Sequence, residues 1–174
     1  MHDVTKEDEI LERLGGLDNP RGFFMETVCI VEEGVEQLLR RAFRQEEYAV
    51  KYAIEPLLNR EGPLSELSVR LKLMLALGML SVQAYQDLEL FIKLRDWLCD
   101  SRKDYRFSDE ALFSRLTALA SLQTIGVPRL PVADAAGDPL LYGMQRERQD
   151  QMTRSALLLC VSSLVSELGK ESPI

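Results

Sequence analysis

An all-α bundle of about seven helices, with no β-sheet, is the fold class this sequence predicts, and three observations carry it. Apolar residues recur at steps of three and four through nearly every segment, the spacing that lines one face of a helix. No stretch alternates with the period of two that a half-buried strand requires. Cap residues punctuate the chain, with Asn19-Pro20 and Asp138-Pro139 at two helix starts and glycine pairs or single glycines at several ends. Residues 1–174, 46% of them hydrophobic, suffice for a single domain, since a chain this long buries roughly two thirds of its unfolded surface.

Each element follows from these signals. Thr5 with Asp8 resembles a capping box before Ile10, Leu11 and Leu14, and Gly15-Gly16 closes that helix. Asn19-Pro20 opens a long amphipathic helix on Phe24, Val28, Val31, Val35, Leu38 and Ala42. A shorter helix over Glu46 to Ile54 stacks Tyr48 on Tyr52, and Pro56 disfavours helical geometry at Glu55. Gly62-Pro63 is a second break, after which Leu64 to Leu80 reads as helix. Ser81 caps a helix from Val82 to about Cys99, followed by the loop DSRKDYR. Ser108 caps the next one, with Phe107 and Leu112 as a hydrophobic staple, and it runs to about Gln123. Residues 124–138, rich in proline, are the longest connection, and Asp138-Pro139 opens a final helix over 139–168 that ends at Gly169.

Composition limits function. A formal charge of −7 and a pI near 4.9 oppose general nucleic-acid affinity, which rests on neutralising phosphates, so any such contact needs a local patch. Two patches exist: Arg40, Arg41 and Arg44 at the end of the second helix, and Arg146, Arg148 and Arg154 on the last. A helix-turn-helix around Gly78 fails, because it would present Asp87 and Glu89 beside Gln83 and Gln86 to the major groove. Cys29, Cys99 and Cys160 are odd in number and set among apolar neighbours, which predicts reduced core thiols rather than disulfides or a zinc site. The longest apolar run, LMLALGML, falls far short of the roughly 20 residues of a membrane span, and the acidic start lacks a signal core, so a cytoplasmic protein is expected.

Catalytic chemistry is missing from the pattern. The single histidine is His2, which leaves no Ser-His-Asp triad, Cys-His pair or histidine metal site, and no phosphate-binding glycine loop is present. Neither a catalytic residue, a metal nor a cofactor is expected. Counting 100° per residue, Gln86, Glu89, Lys93, Asp96 and Asp100 form a polar stripe, whereas Arg95 emerges among Phe91, Ile92, Leu98 and Cys99. Arg70 lies between Met74 and Leu77 in the same way. A buried guanidinium keeps its charge, so each arginine should meet a carboxylate or helix-end carbonyls from another segment, or extend to the surface. Glu55 is the expected carboxylate. The bland role is an ion pair fixing helix register; the sharper one is a partner or ligand site.

The stretches YAVKYAIEPLL (48–58), GPLSELSVRLKL (62–73) and ALGML (76–80) resemble the mannitol operon repressor (MtlR) family, and the likeness continues through YQDLELFIKLR, FSDE and LYGMQRERQ. The resemblance implies an all-helical cytoplasmic repressor of mannitol uptake and catabolism without a recognised DNA-binding domain. More distantly, RLKLMLALG followed by YQDLELFIKLR is similar to HEPN-type helical domains, whose active members carry an R-x4-6-H ribonuclease motif. Arg95 matches its arginine, but Asp100, Ser101 and Arg102 stand where the histidine should fall, so the nuclease's acid or base is missing. The expected role is a non-enzymatic repressor acting through another protein, either a transcription factor or a sugar-transport component. The alternatives are a direct DNA binder using the arginine patches of a homo-oligomer, and a degenerate HEPN-type RNA-binding domain.

Overall fold

The structure, a computed structural model, describes the backbone of residues 2–43, 45–131 and 134–170, and side chains from residue 6 onward. Its described residues are helical and turn, with no strand. The order is α1 (His2–Gly15), α2 (Pro20–Ala42), α3 (Glu47–Ala49), a π-helical turn (Val50–Ile54), α4 (Glu55–Leu58), α5 (Leu67–Ala76), α6 (Val82–Asp100), α7 (Glu110–Leu116), α8 (Ala120–Ile125) and α9 (Pro139–Gly169).

Helix α2 is the centre of the packing. Asn19 accepts a hydrogen bond from the Gly22 amide, Pro20 occupies the first turn, and Phe24, Val28, Val31, Val35 and Leu38 are buried as their spacing requires. Against α2 lie α6, α9, α5 and α1, while α8 packs on α6 and α9. Gly34 lets α9 come close, since a Cβ there would stand 3.2 Å from Leu168. At the core, Phe23 meets Phe107 edge-on at 5.6 Å and Phe24 lies 5.5 Å from Phe91, the offset and perpendicular geometries that aromatic quadrupoles favour. Ser81 caps α6 through the Ala84 amide, and Asp138 caps α9 through that of Leu141, both as the sequence predicts.

Several boundaries differ from expectation for identifiable reasons. Helix α1 already runs from His2, so Thr5 is inside it rather than at its cap; the side chains of His2 and Thr5 lie outside the described residues. Pro56 does not break the chain after Ile54. The wider π turn, in which the Glu55 amide bonds the Val50 carbonyl, keeps the i−4 carbonyl out of the way of the proline ring, and helix continues to Leu58. Helix α5 starts at Leu67 rather than Leu64, because the Leu64 amide bonds the Leu57 carbonyl and closes a turn. Gly62 sits in that turn with the Pro56 and Leu57 carbonyls where a Cβ would have to be. At its other end α5 stops by Gly78, whose φ of 71° permits the Met79 amide to bond the Met74 carbonyl.

The helix expected over 108–123 is two helices, with Asp109 rather than Ser108 at the cap position of α7. The break between them has a cause in α6. Asp87, only 2% exposed, accepts from the Ala120 and Ser121 amides at 2.8 and 2.9 Å and so caps α8 from outside. Phe107 and Leu112 are both buried. Of the cysteines, Cys160 is in the core, but Cys29 and Cys99 are exposed, on the outer edges of α2 and α6. None of the described helices is long and apolar enough to cross a membrane.

Candidate functional site

Charged side chains on the first half of α9 meet the segment before α7 in a lattice of ion pairs. Arg146 donates to Asp109 at 2.5 Å, and Arg106 donates through Nε and Nη2 to one oxygen of Asp150 at 2.8 and 2.5 Å. The other Asp150 oxygen accepts from the Ser108 amide at 2.6 Å. Asp109 also accepts from the Arg106 amide at 2.8 Å, so the same two carboxylates hold both the side chains and the backbone of this turn. Arg129, from the long connection, lies over the Phe113 ring at 4.5 Å and donates to the Ser108 carbonyl and to Glu110. Gln149, 1% exposed, secures the connection from below: its amide oxygen accepts from the Leu130 amide and its nitrogen donates to the Pro128 carbonyl.

Beside this lattice runs an open cleft of about 660 Å³. One wall is a single stripe of α9 containing Leu140, Gly143, Met144 and Glu147, continuing to Asp150 and Arg154. The opposite side carries Asp18 and Arg106. Leu140 is 76% exposed and Met144 62%, which leaves the start of α9 apolar and uncovered. Arg154 pairs with Asp18 at 2.5 Å and also donates to the Gly15 carbonyl.

The arginines singled out from the sequence fare differently from one another. Arg70 is buried and meets helix-end carbonyls: Nε donates to Leu64 at 2.5 Å and Nη2 to Leu58 at 3.1 Å. Its carboxylate is Glu36 of α2, 3.8 Å from Nη1, and not Glu55, which is exposed. Arg95 does not enter the core. It lies at the border of the α6 apolar face, a third exposed, and pairs with its neighbour Asp96 at 2.7 Å. Asp96 and Asp100 are exposed, as the stripe predicts, and Trp97 packs between Tyr105 at 4.6 Å and the Arg115 guanidinium at 4.1 Å.

Of the first basic patch, Arg40 pairs with Glu36 at 2.9 Å, Arg41 donates to the Leu168 carbonyl at 3.1 Å, and Arg44 lies outside the described residues. Of the second, Arg146 and Arg154 are engaged as above, and Arg148 is exposed. A common device emerges: Arg154 ends α1, Arg21 ends α6 through Leu98 and Ser101, Arg41 ends α9, and Arg70 ends α4. Each supplies a cation and donors to carbonyls that a helix C-terminus leaves unpaired.

Sequence reasoning missed Asp87, Gln149 and the hub at Arg13, although a signal for the first two was present. Asp87 falls between Ala84, Leu88 and Phe91 on the buried face of α6, and Gln149 precedes Thr153, Ala156 and Leu157 on that of α9. Arg13 contacts Glu26 and Glu33 at 2.6 and 2.7 Å, and the Glu33 hydrogen bond, foremost among these contacts, raises its already high pKa. No helical count on α1 alone reveals that. Burial pushes the Cys160 thiol up, and burial followed by Glu26, Glu32 and Glu33 does so for Cys29, so both are thiols rather than thiolates at neutral pH. Among the described residues no group of three or more His, Cys, Asp or Glu is placed to hold a metal ion.

Comparison with known proteins bears on this arrangement. The family model described as mannitol repressor matches residues 6–169. The mannitol operon repressor of Escherichia coli (strain K12) is 39% identical over 166 residues, covering 94% of this chain and 82% of that protein. Fumarase E of Escherichia coli (strain K12) is 28% identical over 163 residues, covering 93% of this chain and 96% of that one. Among solved structures, the X-ray structure of the MtlR-HPr complex from Escherichia coli matches with a TM-score of 0.88 and 38% identity over 94% of this chain and 98% of that chain. A possible transcriptional regulator, YggD from Shigella flexneri 2a str. 2457T, matches with a TM-score of 0.79 and 28% identity over 93% and 98%. With the family model spanning residues 6–169 and a relative 39% identical over 94% of this chain, the chain belongs to the mannitol repressor family.

Proposed function

We propose that this chain is a repressor of genes for mannitol uptake and catabolism, that it works as a single cytoplasmic domain, and that it acts by binding another protein rather than by catalysis. The name of the 39% identical relative supports the biological role, and the HPr complex of the 38% identical structure supports a protein partner from sugar transport. One observation from the structure carries the mechanism: Arg40, Arg41, Arg146 and Arg154 are spent on internal carboxylates and helix ends. A phosphate contact by any of these four would first have to break such a bond, on a chain of formal charge −7. A continuous core from Ile10 to Leu168 supports the single domain.

Deleting the gene should raise mannitol-operon reporter expression, and restoring the wild-type chain should lower it again. Unchanged expression would refute the regulatory role. Purified protein at about 150 mM salt should bind mannitol promoter and random duplexes equally weakly. Promoter-specific binding lost in Arg40→Ala/Arg41→Ala would instead establish direct DNA recognition. The 28% identical fumarase E gives the enzymatic alternative a definite assay: hydration of fumarate at a rate proportional to the purified chain would overturn the non-enzymatic reading.

A further inference from the structure

We infer that the cleft along the first half of α9 binds a neutral, polyhydroxylated small molecule of hexitol size. The argument begins with charge. Two cations, Arg106 and Arg154, and three carboxylates, Asp18, Glu147 and Asp150, line the cleft, and both guanidinium groups are already paired across it, with Asp150 and Asp18. An anion would find no free positive charge there, and would stand close to Glu147. Hydroxyl groups suit such a surface better. A paired carboxylate keeps lone pairs and a paired guanidinium keeps N–H groups, and a hydroxyl both donates and accepts. Gln151, on the same wall, offers an amide of equally dual character.

The remaining wall supplies what a carbon chain needs. Leu140 and Met144 are exposed apolar side chains, on which the C–H face of a polyol can lie while its hydroxyls turn to the charged groups. Between them is Gly143. Glycine weakens a helix interior, and here neither packing nor backbone geometry asks for it: a Cβ would meet nothing within 4 Å, and its φ is not positive. What its missing side chain does is leave the cleft wall open.

The site stands on this geometry, while the choice of hexitols as probes rests on the proposed role in mannitol metabolism. Calorimetric titration of the full chain with mannitol, sorbitol and galactitol, and with fumarate as an anionic control, tests it. Saturable binding of at least one hexitol, tighter than fumarate, is expected. Gly143→Leu should weaken that binding by at least about tenfold while keeping or raising Tm, because it fills the cleft without touching an ion pair. Gln151→Ala should weaken it severalfold. Absence of hexitol binding at millimolar concentration, tighter binding of fumarate, or unchanged affinity in Gly143→Leu would each overturn the inference. Any of these would leave the reporter experiment unaffected, so the two readings fail separately.

Discussion

Arg70 and Arg95 start from the same helical count and end in opposite environments. Both emerge among apolar neighbours on their own helices, yet Arg70 is 5% exposed and Arg95 is a third exposed in its side chain. The difference lies in what covers each face. Above Arg70 the chain folds back through residues 58–64 and presents two carbonyls and the edge of α2. Among the described residues, Arg95 bonds along its own helix, to Asp96, and to no carbonyl of another segment. A periodicity thus identifies a face, whereas burial depends on a second segment that the count never sees.

Breaking the deeper of the two should cost most. Arg70→Met removes the donors of the Leu58 and Leu64 carbonyls and leaves Glu36 with one cation fewer, so a loss of about 3 kcal/mol is expected. For a chain of this size that lowers Tm by roughly 6–12 °C, readable in a thermal melt. A shift below about 2 °C would mean that the Arg70 pocket is wet and that the contrast with Arg95 is false.

Asp87 sharpens the comparison, because it is a buried charge satisfied by a helix start rather than a helix end. Asp87→Ala should cost about 2 kcal/mol in chemical denaturation, with hydrogen exchange accelerating first at Ala120 and Ser121. Arg95→Ala, at the other extreme, should change stability by less than about 0.5 kcal/mol, since its pair is exposed.

The smallest effect concerns Glu89 on the solvent side of the same helix. Its hydrogen bond from Lys93, chiefly, holds its carboxyl below the ordinary value, with Tyr85 assisting. A carboxylate depressed in the folded state contributes stability above its unfolded pKa and loses it as pH falls through the folded one. Glu89→Gln should therefore reduce stability slightly at neutral pH and not at all once the pH is below the carboxylate range. Melts of both proteins across acidic pH check this, and a difference that grows with acidity would contradict the sign.

The same contrast accounts for what was legible in the sequence. Helices with their own caps, such as α2 behind Asn19-Pro20 and α9 behind Asp138-Pro139, were readable to within a residue or two. The split of α7 from α8 was not, because its cap, Asp87, is 33 residues away in α6. Nor was the passage of helix through Pro56, which depends on a π turn that no local propensity announces. The two arginine clusters were visible as composition, but the partners Asp18, Asp109 and the Leu168 carbonyl come from other segments, and Glu36 alone shares a helix with its arginine. Four of the six arginines, Arg40, Arg41, Arg146 and Arg154, are thus engaged within the chain.

The engagement of these arginines weighs against direct DNA binding, the HPr complex of the 38% identical structure supports the proposed protein partner, and calorimetric titration with purified HPr tests that proposal most directly. The account predicts saturable, stoichiometric binding at about 150 mM salt that persists in Arg40→Ala/Arg41→Ala, where any DNA affinity of that patch would be lost. Absence of binding to HPr, together with tight and promoter-specific binding to DNA that depends on those arginines, would contradict it.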